Sequence, residues 1–275
     1  MSAQTSTAPR GESVARESAP PTNRGTALRP GFARGIGLVA ARELGASFDS
    51  GVAYVYTIAF ALLANSIFMN EFFLAGHVDM GPWFDAMPLL LAVFLPAVTM
   101  RSWAEEKRQR TIELLLTLPL RPVQAILGKL LAALGLFGVF VLSSAPIVAM
   151  LFALGEPDAG RLVSGYLGLG LLGLLFLSFG LFLSAVSGDQ ITAFVLTALL
   201  AFLLVLTGDE RFVAVLDGLA PNLATGSFLY DHVSVMPHYE AFARGVIALP
   251  SVLYFTGLSA AFLWLNGLLL ERTRD

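Results

Sequence analysis

The sequence predicts an all-α integral membrane protein with six transmembrane helices, and three observations carry that prediction. Hydrophobic residues make up 56% of the chain and charged ones only 13%, with a mean hydropathy of +0.74. A water-soluble domain carries about 25% charge, so this chain has too little polar surface to cover a soluble globule. Apolar runs long enough to cross a bilayer recur along the chain. Charged residues gather between those runs, most densely in the interval Pro96–Lys129.

Residues 1–31 are rich in Ser, Thr, Ala, Pro and Gly and have no apolar run. They are expected to form a solvated, disordered cytoplasmic tail, without the apolar core of a signal peptide. Everything from 32 to 275 is expected to form a single membrane domain. From Phe32 to Phe48 apolar residues recur at near-helical spacing, with Arg34, Arg42 and Glu43 on the other side. A short amphipathic helix lying on the membrane surface fits this pattern.

The six spans are expected at about Val52–Phe68, Ala86–Trp103, Val123–Leu154, Leu162–Val186, Ile191–Thr207 and Leu249–Leu270. Pro96 should kink or open the second. The third is longer than the roughly 30 Å bilayer core. Its first turns should therefore stand in the interface, with the Lys129 ammonium snorkelled to the headgroups. Five glycines in the fourth, Gly165, Gly168, Gly170, Gly173 and Gly180, predict close helix packing. A tight Ser187–Gln190 turn joins the fourth and fifth.

The interval between the second and third spans has internal order. Arg101, Glu105, Glu106, Lys107, Arg108 and Arg110 carry the chain out of the lipid, and Glu106 precedes Arg110 in the favourable i,i+4 order. Thr111 suits an N-cap, with Glu113 in the first turn. Ile112, Leu114, Leu115, Leu116 and Leu118 then make a short apolar helix that Pro119 stops, while Pro122 suits the start of the next helix. Periodicity alone reads this as an amphipathic hairpin on the headgroups.

The pattern P-x-x-T-M-R, E-E-K/R, T-I-E-L-L-L-T-L-P and G-K falls on thirteen positions here. They are Pro96, Thr99, Met100, Arg101, Glu105, Glu106, Thr111, Glu113, Leu114, Leu115, Pro119, Gly128 and Lys129. It resembles the first cytoplasmic loop of ABC-2 type transporter permeases, above all the gliding-motility and nitrous-oxide-reductase-maturation branch. In that family the loop holds a coupling helix that docks into an ATP-binding subunit. The resemblance implies that Glu105, Glu106, Arg108 and Arg110 anchor one end of the helix, and Pro119 and Pro122 the other. Ile112 with Leu115 or Leu116 would fill an apolar groove on the ATPase, and Glu113 would meet a basic residue there. For Glu113 a plain helix-dipole charge is the alternative. The segment Arg42–Val55 is similar to the family's approach to its first span, so 32–48 would be its connecting helix.

Basic residues fix an expected orientation. With the N-terminus inside, only Arg161, Arg211 and Arg244 of the seventeen fall outside, which favours cytoplasmic termini. The outer segment Gly208–Ala248 is long, with apolar stretches broken by Pro221, Asn222, Gly226 and Pro237. Two half-inserted helices suit it, and His238–Phe255 resembles the family's re-entrant helices before the last span. Pro221, Asn222, His238, Arg244 and Gly245 are the residues expected at that outer gate. His238 and Arg244 are read as structural ties rather than catalytic groups.

The sequence holds no ATPase signature. Gly128–Lys129 is followed by Leu130 where a phosphate loop needs Ser or Thr, and no strand precedes it. Metalloprotease and serine-nucleophile motifs are missing, there is no cysteine, and the three histidines are scattered. The spans hold no charge at mid-depth of the sort ion-coupled carriers use. The resemblance therefore implies a non-enzymatic permease of a bacterial inner membrane, with no cofactor of its own. ATP and magnesium would sit on a separate ABC ATP-binding subunit. Implied partners are that ATPase, a second copy or a related permease, a periplasmic-domain membrane subunit and the lipid bilayer, with no nucleic acid. The competing class is a membrane anchor or assembly platform that transports nothing.

Overall fold

The computed structural model describes residues 31–76, 79–109, 121–219, 226, 229–230 and 233–274. The described residues are helical, in the order α1 (Phe32–Asp49), α2 (Val52–Ala75), α3 (Gly81–Thr99), α4 (Ala104–Arg108), α5 (Pro122–Leu142), α6 (Ala145–Leu154), α7 (Ala159–Val186), α8 (Gln190–Leu206), α9 (Glu210–Leu219), α10 (Met236–Ala243) and α11 (Leu249–Arg274). Five stretches are long and apolar enough to cross a membrane: Val52–Leu74, Gly81–Arg108, Pro122–Leu154, Ala159–Val186 and Leu249–Arg272. A sixth is counted if α8 and the following residues 211–218, bent by 91°, are taken together.

Local chemistry sets the helix ends. Gly51 and Gly76, both at left-handed φ (73° and 64°), bracket α2, a conformation that costs glycine nothing. Pro82 opens α3 five residues before the expected start. At α5 the Gln124 side chain accepts from Arg121 N at 2.8 Å. Asp158 caps α7 through Gly160 N and Arg161 N, and Asp189 caps α8 through Thr192 N. Three amide hydrogen bonds at the last two helix starts thus go to carboxylates.

Three sequence expectations change. Helix α3 runs unbroken through Pro88 and Pro96, and the chain opens only after it, at Met100–Trp103. The third span is two helices rather than one, because Ser143 and Ser144 turn their hydroxyls back onto Phe140 and Val141 carbonyls and Pro146 starts a new helix. Helix α1 is not simply laid on headgroups. It packs along α5, and it meets Gly128, where an added Cβ would lie 2.5 Å from Val39 Cβ, and Gly135, beside Leu44.

Helix α7 is the hub, packed against α3, α5, α8, α10 and α11. Its glycines do what their spacing predicts. Gly165 receives Phe84, Gly168 receives Phe242, Gly173 receives Phe137 and Gly180 receives Thr99, each so close that no Cβ would fit. Gly170 is the exception and faces open space. Between α2, α3 and α5 the core is aromatic, with Phe60 stacked on Phe140 at 5.0 Å and edge-on to Phe94 at 5.4 Å.

Candidate functional site: a buried lysine beneath the charged loop

Most of the helix expected to couple the chain to an ATPase lies outside the described residues. That holds for Arg110, Thr111, Ile112, Glu113, Leu115, Leu116 and Pro119. Its base is described, and the base is built around Lys129. The Lys129 side chain is 2% exposed. Its ammonium donates to Ser102 O at 2.7 Å, Glu106 Oε1 at 2.9 Å and Glu43 Oε1 at 3.0 Å. It also lies 4.8 Å over the Trp103 ring. Three donors thus meet three acceptors, the full capacity of an ammonium.

This corrects the expectation that Lys129 snorkels to headgroups. A buried ammonium is tolerated when it is paired and hydrogen-bonded, and here its partners come from α1, α4 and the turn before α4. Arg42 extends the network, with Nη2 at 2.7 Å from Glu43 and 3.4 Å from Glu106. Burial, the largest single influence on Glu43, pushes its carboxyl up, but Lys129 and Arg42 more than offset it and hold it below the ordinary value. Glu43 is therefore a carboxylate facing the protein, not the polar side of a surface helix.

A second set of bonds fixes the same turn to the hub. Ser184, fully buried near the end of α7, accepts from Trp103 N at 3.1 Å and Ala104 N at 3.2 Å, and donates to Met100 O. Lys107 donates to Ala185 O, one of the carbonyls left open at the end of α7. Glu105 accepts from Gln109 one turn on, while Arg101 and Arg108 are exposed. Of the expected anchors, then, Glu106 is held by the bundle, whereas Glu105 bonds within its own turn. Lys107, Trp103, Ser184, Glu43 and Lys129 complete the anchorage and were not assigned that role from sequence. The one available signal was a lone lysine inside an apolar run.

At the opposite end, Pro221 and Asn222 lie outside the described residues. His238 and Arg244 do not act alike. His238 Nδ1 shares a hydrogen bond with Ser251 Oγ at 3.1 Å, and its ring stacks on Tyr254 at 4.2 Å. Burial holds the imidazole below its ordinary value. Among the described residues the Arg244 side chain makes an exposed 3.9 Å pair with Glu240, which contributes little. The tie is made instead by Arg161, whose Nη1 meets Asp79 at 2.7 Å and whose Nε donates to Ala243 O at 2.9 Å. Gly245, at φ 92°, lies against the Arg161 side chain. Buried Tyr239 donates to Phe84 O at 2.8 Å. These bonds fasten α10 to α3 and α7.

Among the described residues no group of three or more His, Cys, Asp or Glu is placed to hold a metal ion. Residues 80–268 match the family profile described as ABC-2 family transporter protein. No curated protein matches the chain.

Proposed function

The chain belongs to the ABC-2 transporter family and is a multi-pass membrane permease of an ABC transporter, and on that premise we propose that it converts ATP hydrolysis on a separate subunit into export or mechanical transduction. The nucleotide and its magnesium bind the partner ATPase, and this chain catalyses no reaction. The loop 101–129 faces the cytoplasm with both termini, in a bacterial inner membrane. The working unit holds two permease chains, identical or related, and two ATPases. The loop pattern favours the gliding-motility and nitrous-oxide-reductase-maturation branch, in which a periplasmic-domain membrane subunit is a further partner.

The observation that carries this reading is the anchorage of α4. The turn before the loop is joined to α7 through Ser184 and Ala185, to α5 through Lys129, and through Lys129 to α1. A push delivered to the loop therefore reaches three parts of the bundle at once, without any side chain having to move independently. A membrane anchor with a surface hairpin has no use for a buried ion network, whose desolvation costs several kcal/mol.

The helix 111–118 is the contact that delivers the push, with Ile112, Leu115 and Leu116 in an apolar groove and Glu113 on a basic residue. Truncating a desolvated cross-subunit charge costs roughly 2–5 kcal/mol, against about 0.3–1 kcal/mol for a helix-dipole charge. Glu113→Ala and Leu115→Asp should therefore leave the chain inserted but release the ATPase in co-purification, or uncouple hydrolysis from transport. Full association and full transport in both variants would leave the loop a surface hairpin.

A further inference from the structure

Two cavities at the loop-bearing end lie side by side. The first, of about 90 Å³, is polar at its mouth, where Ser47, Ser50, Arg101 and Ser102 line it. The second, of about 350 Å³, is an apolar groove between α2, α3 and α8, lined by Tyr56, Val93, Phe94, Ala97, Met100 and Phe194. Tyr56 and Ala97 line both, so the polar cleft and the groove adjoin at these two side chains. Val93 lies six residues, about 9 Å, inside the end of α3 at Thr99, and Arg101 lies in the turn beyond that end. That is a descent from the headgroup layer into the acyl region of a bilayer.

The charges at the mouth are not balanced. Glu43 also lines the cleft but is already engaged by Lys129 and Arg42. Arg101 is exposed and makes no ion pair or hydrogen bond among the described residues, so it is the surplus cation. Two of the three serine hydroxyls are oriented. Ser47 donates to Glu43 O at 3.0 Å and Ser50 to Ser47 O at 3.1 Å. Their protons are thus committed to the backbone, and toward the cleft they offer lone pairs.

We propose that the cleft and groove form a glycerophospholipid site, with the phosphodiester on Arg101 and one acyl chain in the groove past Ala97. The headgroup beyond the phosphate must bring hydrogen-bond donors of its own, because Ser47, Ser50 and Glu43 offer it acceptors, while the Ser102 hydroxyl, not oriented in this way, can turn to the phosphate. Ethanolamine and glycerol headgroups satisfy that requirement, and the quaternary ammonium of choline does not. The bound lipid would fill the space between α2, α3 and α8 where the protein leaves it open. This needs only that the chain spans a bilayer, and it is independent of any ATPase.

Native mass spectrometry of the full-length chain, delipidated in detergent, tests the proposal. Single adducts are expected with phosphatidylethanolamine and phosphatidylglycerol, and weaker ones with phosphatidylcholine. Arg101→Gln should weaken them about tenfold, the loss of one charge-assisted hydrogen bond. Ala97→Trp should do the same by filling the groove, and Val93→Trp, at a more exposed position on its wall, repeats that test if the first variant fails to fold. Arg272→Gln, an exposed arginine on α11, should change nothing. Equal binding of phosphatidylcholine, or adducts unaffected by the tryptophan variants, would overturn the site. So would displacement of lipid by inorganic phosphate, which would mean a free-anion site. A lipid-free dimer burying the groove would assign it to a second copy.

Discussion

Lys129 Nζ lies 3.0 Å from Glu43 Oε1, although 86 residues separate them along the chain. One buried charge thus joins the N-terminal helix to the third span. Lys129→Met would leave Glu43 and Glu106 facing each other with only the more exposed Arg42 between them. Removing one partner of such a network costs about 3–5 kcal/mol, and thermal unfolding in detergent should show it. Adding Glu43→Gln and Glu106→Gln to Lys129→Met should recover much of the loss, since the one charge left, on the largely exposed Arg42, is solvated rather than buried. A single variant as stable as the parent would show that the cluster is not a tie.

Glu43 also makes the seat of α1 sensitive to pH. Its carboxyl is held below the ordinary value in the folded chain despite burial, because Lys129 and Arg42 favour the charged form. A depressed carboxylate contributes stability that is fully present above its unfolded value and is lost as pH falls through the folded one. Protease sensitivity at Arg34 and Arg42 should therefore stay constant through neutral and mildly acid pH and rise only below the ordinary carboxylate range. Glu43→Gln should raise sensitivity at neutral pH and flatten the profile. A rise confined to alkaline pH would contradict this account.

Arg161 uses two different nitrogens for two partners, Asp79 and Ala243 O. A lysine, with one point charge, cannot reproduce that fork. Arg161→Lys should lose one of the bonds, about 1 kcal/mol, and hydrogen exchange in Met236–Ala243 should quicken. Arg244→Ala, which removes only an exposed pair, should leave exchange there unchanged. Equal effects of the two substitutions would reject the assignment of the tie to Arg161.

Much of this architecture was legible because apolar length and breaker residues are local signals. The ends of α1 and α8, the close of α7 and four of its five expected glycine notches follow from the sequence directly, whereas α7 starts three residues earlier than expected, at Ala159. The role of Lys129 did not. A lysine at the start of an apolar run reads as snorkelled, and what buries it are Glu106, 23 residues earlier, and Glu43, 86 residues earlier. The split of the third span was signalled by Ser143, Ser144 and Pro146, but total length masked it. At the opposite end sequence pointed to Arg244, on α10's own boundary, whereas the tie comes from Arg161, 82 residues before the carbonyl it holds.

The four filled notches of α7 also bear on how this bundle can move. Phe84, Phe242, Phe137 and Thr99 sit in them like keys in keyways, contributed by three different helices. A spindle keyed on several sides cannot turn within its sleeve. Rotation of α7 about its own axis would drive every one of those side chains into backbone, so it must travel together with α3, α5 and α10 as a block. Relative motion during a working cycle is then left to helices without such keys, α2 among them, whereas the turn after α8 is itself keyed to α10, Met236 sitting against Gly208.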